Sequence, residues 1–310
     1  MNATNAPAVV DPLMVEWTPG PSIELPDEVR TLRSAVEQAG RSLLAVPDAR
    51  LEAAWTWPDH ASEVDVRNGF YRLYELLERA GGEVRTALGD TVAGAPAGAR
   101  LGRSATVARS SLQGLLLPLT DADLDADPPG GEWTIRETLG HMISSQRSYG
   151  RFTAWFLTQA PAPAAPVPDE LSATLPEREE ESAGSIDEVR ARLDALLDLS
   201  MARLGGFTEE QVAHPARWSG GEVTVGFRIG RWASHLREHT IQVEKTLVML
   251  DRPTTEVERL VRMLFEAYGR LEEPVFGLDA DRARPALPVF LRTADEVEAL
   301  VPSITAAPSG

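Results

Sequence analysis

Three of the five histidines in this chain are spaced so that two helices could bring them to one metal ion. His235 and His239 are four residues apart, a spacing that stacks two imidazoles on one helix face with Cβ atoms about 5–6 Å apart. Both rings can then reach one ion at about 2.1 Å. His141, in a separate helical segment, would complete a site of three nitrogens. Because its remaining coordination positions stay open to water or substrate, such a site is typical of catalytic rather than structural metal.

Other polar residues share the helix face that carries the paired histidines. Arg228, Arg231 and Gln242 are in register with them. A polar stripe is normally the solvated face of a helix. The same residues also form a suitable lining for an anionic substrate above a metal, because guanidinium groups bind carboxylates at two points. We therefore take all three as candidate substrate-binding residues.

The segment around His141 contributes two further candidates. Ser145 lies one turn after His141, and its small hydroxyl side chain leaves room for a ligand. Trp133 stands at the predicted start of the same helix, where it serves either as a packing residue or as a contact to substrate.

A second motif overlaps the paired histidines. His235-Leu-Arg-Glu238-His239 fits the inverted zinc-peptidase signature, in which Glu238 would be the general base. That interpretation needs a further acidic ligand from another helix and gives His141 no role. Glu238 remains a candidate catalytic residue, which would either orient a metal ligand or face solvent.

Composition excludes several classes of function. A net charge of −17 and no visible basic patch argue against binding to nucleic acid. The chain has no cysteine, so a thiolate ligand, a disulfide and a cysteine nucleophile are all excluded, and sulfur chemistry would require an external thiol. Lys245 is the only lysine among 30 basic residues, a bias typical of a GC-rich genome such as that of an actinobacterium.

The expected location is the cytoplasm. The first residues lack the basic region and apolar core of a signal peptide, and no stretch approaches 18 consecutive apolar residues. We therefore expect no association with a membrane.

Apolar periodicity predicts an all-α protein with no convincing strand. Helices are expected over 27–45, 64–88, 103–117 and 134–158, then after Ser185, from Thr224 to before Pro253, over 254–271, and in a short segment capped by Thr293. The acidic stretches 121–131 and 177–181 and the Pro-rich residues 1–24 and 161–168 are expected to be loops or irregular. The Gly-, Ala- and Pro-rich segment 89–102 marks a boundary. The chain is thus divided into an N-terminal helical extension (1–95), a four-helix bundle (96–252) and a C-terminal helical extension (253–310).

One weak internal similarity is present. Residues 63–67 (Glu-Val-Asp-Val-Arg) align with 132–136 (Glu-Trp-Thr-Ile-Arg), and Arg72 then takes the position of His141. This is either a coincidence or the trace of a duplicate that lost its ligand.

The segment from Glu132 to His141 and the pattern His235-x-x-x-His239-x-x-Gln242 resemble the hallmarks of the DinB-like superfamily of metal-binding four-helix bundles. The resemblance covers about residues 100–252. It implies a divalent metal, zinc or nickel, held by His141, His235 and His239. Many members use a low-molecular-weight thiol, and relatives include mycothiol-dependent maleylpyruvate isomerase and mycothiol S-transferases.

These observations favour a metal-dependent S-transferase that joins a thiol, mycothiol in an actinobacterium, to an electrophilic small molecule. A coordinated thiol would lose its proton and attack an electrophilic carbon. The alternatives are an isomerase of the maleylpyruvate type, a hydrolase that uses metal-activated water, and a non-catalytic metal-binding stress protein. A homodimer is left open.

Overall fold

The computed structural model describes residues 23–57, 62–160 and 164–306. Most of the Pro-rich N-terminal segment and residues 161–163 lie outside these ranges. Within them, eight helices have twelve or more residues: α1 (Asp27–Leu43), α2 (Val66–Leu88), α3 (Ala105–Leu116), α4 (Ile135–Phe156), α5 (Ile186–Leu204), α6 (Val225–Met249), α7 (Glu256–Glu272) and α8 (Leu287–Thr305). The predicted all-α fold is confirmed.

Shorter elements join the long helices. Two antiparallel hairpins are formed by β1 (Ala54–Thr56) with β2 (Glu63–Asp65) and by β3 (Pro215–Trp218) with β4 (Gly221–Thr224). Short helices cover Ala97–Gly102, Asp121–Asp125, Asp169–Ser172, Arg178–Glu181, Glu209–Ala213 and Ala280–Ala283. Single 3₁₀ turns cover Asp48–Arg50, Gly89–Thr91 and Arg284–Ala286. No helix within the described ranges is long and apolar enough to span a membrane.

Helices α3, α4, α5 and α6 form the predicted four-helix bundle around one apolar core. The stripe expected on α4 is fully buried, as shown by Ile135, Leu139 and Ile143. Ile229 and Leu236 supply the matching stripe of α6. The helices therefore pack through the faces that the 3.6-residue periodicity indicated.

Helices α1, α2, α7 and α8 form a second core. Leu32 and Phe70 come from the N-terminal part of the chain, and Tyr268 and Phe290 come from the C-terminal part, yet all four are buried in the same apolar cluster. The two extensions that flank the first bundle in sequence are thus one structure in space. The domain boundaries drawn from the sequence stay a prediction.

Helix starts follow the capping signals. The Thr134 hydroxyl accepts from the Glu137 N–H while the Glu137 carboxylate accepts from the Thr134 N–H, and Ser185 and Glu188 repeat this arrangement on α5. The cap predicted at Thr293 is wrong. α8 already begins at Leu287, and the buried Thr293 hydroxyl donates to the Val289 carbonyl inside the helix.

Three other expectations need correction. The two hairpins were not predicted, because strands of three or four residues are too short to show an alternating pattern. The acidic stretches expected to be loops contain the short helices Asp121–Asp125 and Arg178–Glu181. Glu181 is buried and forms an ion pair with Arg147, so this acidic run is partly internal.

A buried ion cluster joins the two cores. Arg33 of α1 and Arg109 of α3 each form ion pairs with Asp198 of α5 and with Glu272 of α7. The Glu272 side chain is fully buried, and both of its oxygens accept from arginines. The two guanidinium groups hold the pKa of Asp198 below its usual range in spite of the opposing effect of burial. Removing one member would leave a buried charge without its partner.

We expect Glu272→Ala to lower the free energy of unfolding by about 3–5 kcal/mol, because Arg33 and Arg109 would lose a shared buried carboxylate. Urea denaturation measures the change. Glu298→Ala, an exposed glutamate on α8, is the control and should shift the free energy by less than about 0.5 kcal/mol. Equal effects of the two substitutions would contradict a structural role for the cluster.

Candidate metal centre

Two antiparallel helices position the three histidines. At one end of the pair, the Thr246 hydroxyl of α6 donates to the Trp133 carbonyl just before α4. At the other end, Arg228 of α6 donates to the Thr153 hydroxyl of α4 at 3.0 Å. His141 lies in the second turn of α4, and His235 and His239 lie in the middle of α6. The two helices therefore present all three rings to one point between them.

The three Nε2 atoms face one another. His235 Nε2 lies 3.3 Å from His141 Nε2 and 3.1 Å from His239 Nε2. Three nitrogens bound to one tetrahedral ion at about 2.1 Å would be about 3.4 Å apart. Among the described residues, these three side chains form the one group of histidine and carboxylate ligand atoms close enough to hold a metal. The geometry fits the tris-imidazole site predicted from spacing.

Gln242 determines which nitrogen of His239 is free. Its Oε1 lies 2.8 Å from His239 Nδ1, so the Nδ1–H donates to the amide and Nε2 keeps a lone pair. Gln242 was expected to bind substrate, and the structure places it behind a ligand instead. Nδ1 of His141 is buried without a hydrogen-bond partner, and the ring is held by packing against Trp133 and His239.

The surroundings keep two of the imidazoles neutral. Burial lowers the pKa of His235 to about 3, with further contributions from His239, His141 and Arg231. Burial also lowers the pKa of His141 to about 4, with contributions from His239 and Arg178. A neutral imidazole has the lone pair that a metal requires. The neutral His141 and His235 rings can therefore direct lone pairs towards a cation.

An aromatic layer adjoins the cluster on the side of the β3–β4 hairpin. The Tyr149 ring contacts His235 with ring centroids 5.2 Å apart, and Trp218 lies 4.5 Å from Tyr149. Burial raises the pKa of Tyr149, so its hydroxyl keeps its proton at neutral pH. Both residues were missed in the sequence. Tyr149 lies two turns after His141 on α4 and could have been found from that spacing, whereas Trp218 reaches the site only through the hairpin.

The two arginines predicted to bind substrate have different environments. Arg228 is buried, donates to the Thr153 hydroxyl and the Arg217 carbonyl, and packs over the rings of Trp218 and Phe156. No carboxylate of the described residues forms an ion pair with Arg228. Burial lowers its pKa to about 10, which leaves it charged at neutral pH.

Arg231 also packs over Trp218, but it has an anionic partner. It forms an ion pair with Glu238 at 2.5 Å and donates to the Ser234 hydroxyl. The Glu238 carboxylate is more than half exposed and is outside the histidine cluster. The structure thus gives no support to Glu238 as the base of an inverted zinc-peptidase site.

The remaining candidates lie beside His141. Trp133 is partly exposed and contacts the His141 ring, with the two ring centroids 5.4 Å apart. The Arg178 guanidinium lies over the Trp133 ring, 5.8 Å from its centroid. Ser145 is half-buried one turn along α4, next to the Tyr149 hydroxyl. Both residues are therefore near the cluster, as the sequence indicated.

Comparison with known proteins identifies the bundle. Residues 105–243 match the family model described as the DinB superfamily. This segment runs from the start of α3 into α6 and contains all three histidines. The bundle of α3–α6 therefore belongs to the DinB superfamily, a group of metal-binding helical proteins, as the sequence motifs suggested. No curated protein and no solved structure matches the chain.

We expect His239→Ala to abolish metal binding, and His141→Ala and His235→Ala to reduce it sharply, since each removes one of three ligands. Elemental analysis of each purified variant gives the metal content per chain. Because His214 is outside the cluster, His214→Ala is the matched control and should retain full metal content. Unchanged metal content in any of the first three variants would remove that residue from the site.

The metal-free protein should lose stability as pH falls from about 6.5 towards 4. In this range the unfolded chain protonates its histidines, whereas folded His141 and His235 take up protons only near pH 4 and pH 3. At pH 4.5 the suppressed protonation of His235 costs about 2.5 kcal/mol, and that of the more exposed His141 costs less because solvent screens it. Urea denaturation in chelator at pH 7 and pH 4.5 measures the loss. His235→Gln should show a smaller loss, and an identical pH dependence would contradict the assignment.

Proposed function

We propose that this protein is a metal-dependent transferase that joins a low-molecular-weight thiol, mycothiol, to an electrophilic small molecule bearing an anionic group. One observation carries the proposal: three convergent imidazoles are connected through Tyr149 and Trp218 to buried Arg228, which forms no ion pair with a carboxylate of the described residues. The absence of cysteine agrees with a nucleophile that comes from outside the chain.

A divalent ion bound by the three histidines would supply Lewis acidity and lower the pKa of a coordinated thiol. The three histidines are arranged to hold such an ion. His141, His235 and His239 direct their Nε2 atoms to one point, and a site with three protein ligands leaves a position for an exogenous group.

Arg228 is the residue suited to hold the electrophile. A buried guanidinium without a counter-ion carries a desolvation cost that an anionic substrate would offset. Packing over the rings of Trp218 and Phe156 fixes the orientation of the Arg228 guanidinium. Trp218 contacts Tyr149, which in turn contacts His235 of the histidine cluster. A carboxylate bound to Arg228 would lie on the side of His235 that Trp218 and Tyr149 cover.

Tyr149 is positioned to assist the reaction by hydrogen bonding. Its ring separates His235 from Trp218, and its hydroxyl stays protonated at neutral pH. A phenol in that place can donate to negative charge that develops on the electrophile as the S–C bond forms. The S–H bond breaks and its proton goes to solvent. The electron pair displaced from the attacked carbon departs with a leaving group or, in an addition to a double bond, is protonated from solvent.

Cobalt substitution tests the role of the thiol. Sulfur ligation to Co²⁺ adds an intense charge-transfer band in the near ultraviolet, so titrating mycothiol or a cysteinyl analogue into the cobalt form should raise that band at neutral pH. His239→Ala should abolish the response. Arg228→Gln should keep the band but raise the KM for an anionic electrophile, while Arg231→Gln, whose arginine already pairs with Glu238, should have a smaller effect.

The alternative functions give different results in the same assay. If saturating thiol leaves the cobalt spectrum unchanged, direct activation of the thiol is wrong. Hydrolysis of a generic electrophile without thiol would favour a hydrolase, whereas metal binding without turnover of any electrophile would favour a non-catalytic protein. Incubation with and without chelator separates these outcomes from background reaction of free thiol.

A further inference from the structure

The two hairpins lead into long helices in the same way. In each case the last residue of the second strand caps the helix: Asp65 accepts from the Asn68 N–H at the start of α2, and Thr224 accepts from the Phe227 N–H at the start of α6. One further backbone hydrogen bond is common to both. Val66 N–H donates to the Ala53 carbonyl at 2.9 Å, and Val225 N–H donates to the His214 carbonyl at 2.9 Å.

A tryptophan–arginine contact is also repeated. In the first hairpin Trp57 lies under the Arg72 guanidinium at 5.6 Å, and in the second Trp218 lies under Arg231 at 5.8 Å. Counted from the first residue of each helix, Arg72 and Arg231 occupy the same position. The tryptophans hold corresponding places relative to the paired strand residues Ala54 and Pro215.

The helices that precede the hairpins correspond as well. α1 ends at Leu43 and α5 ends at Leu204, and in both cases the next strand begins eleven residues later. Aligned on these ends, the buried residues coincide, as in the pairs Leu32/Leu193, Val36/Leu197 and Leu43/Leu204. The unit of helix, hairpin and helix therefore occurs twice.

The other two helices of each bundle complete the correspondence. α3 and α4 are separated by the short helix Asp121–Asp125, and α7 and α8 are separated by Ala280–Ala283. α6 packs against α3 and α4, while α2 packs against α7 and α8. The buried positions of α4 and α8 coincide when Leu139 is aligned with Phe290 and Ile143 with Ala294.

We infer that this chain contains the same metal-binding bundle twice, and that the second copy is circularly permuted and has lost its ligands. In the second copy, α7, α8, α1 and α2 correspond, in that order, to α3, α4, α5 and α6 of the first copy. The permutation explains why both flanks of the chain build one core. The short similarity between 63–67 and 132–136 is not the trace of this event, because it aligns α2 with α4 rather than with α6.

The correspondence assigns three positions in the second copy to the metal ligands. Leu76 matches His235 and Ala80 matches His239, and both are buried, 4% and 2% exposed. Arg292 matches His141. It forms ion pairs with Glu83, which matches Gln242, and with Glu296. Apolar side chains and a surface ion network thus occupy the place of the metal centre.

The two copies meet through equivalent helices. α3 and α7 cross closely where Gly114 lies against the Arg262 backbone and Phe265, and where Gly269 lies against Val107 and Ser110. A Cβ at either glycine would come within 3.0 Å of its neighbours, so the small residues permit this approach. The two bundles therefore meet through a matched pair of helices, and the described residues contain one histidine cluster for two bundles.

Grafting the ligands tests the correspondence. The triple variant Leu76→His, Ala80→His, Arg292→His should raise the metal content by one equivalent per chain, from one to two. A matched control replaces Leu76→His by Leu77→His, which is equally buried but matches Leu236, and should bind no additional metal. Combining the graft with His239→Ala should leave one equivalent, all of it in the second bundle.

A crystal structure of the triple variant decides the case even if neither bundle retains metal. The three grafted imidazoles should place a nitrogen each within the 4.8 Å seen for the natural cluster. Separations larger than one helical turn, about 5.4 Å, would overturn the inference. If the buried Leu76→His prevents folding, the double variant Ala80→His, Arg292→His allows the distance between the two remaining grafted imidazoles to be measured in the same way. A wild-type chain without metal would contradict the proposed function and leave this distance test intact.

Discussion

The antiparallel packing of α4 on α6 is the constraint on which the site depends. It forces three ring nitrogens within 3.3 Å of their neighbours, a geometry that is unfavourable for protonated rings and favourable for a cation. Bonds at both ends, from Thr246 to Trp133 and from Arg228 to Thr153, set the register of the two helices. A shift of one residue would turn His141 away from the pair on α6.

The same register links the histidine cluster to Arg228. Arg228 fixes one end of the α4–α6 pair and is also the buried cation proposed to bind substrate. Its cost of burial is reduced by the Thr153 hydroxyl, the Arg217 carbonyl and two aromatic faces, none of which neutralises its charge. The proposed substrate contact and the observed helix packing therefore share one side chain, and a substitution of Arg228 is expected to affect both.

Much of the site could be read from the sequence. The spacing of His235 and His239, together with the cap at Thr134, places all three histidines because helical periodicity acts over short distances. The hairpin that brings Trp218 to Tyr149 has no such signal, since its strands are only four residues long. The false cap at Thr293 shows a related weakness: a Thr-x-x-Glu pattern also occurs inside a helix, where the threonine hydroxyl bonds back to the preceding turn. Contacts between distant parts of the chain, such as those joining α1 to α8, leave no local pattern at all.

The ion cluster of Arg33, Arg109, Asp198 and Glu272 joins the two bundles through buried ion pairs. The segment that matches the DinB superfamily contains Arg109 and Asp198 but neither Arg33 nor Glu272, so two of the four charged partners lie outside it. A ligand bound to the native state alone raises the free energy of unfolding by mass action. Separating the bundles would break these buried ion pairs, so a ligand bound to the histidine cluster is expected to stabilise helices that do not touch it. The flanking bundle would then gain stability from a ligand that it does not contact.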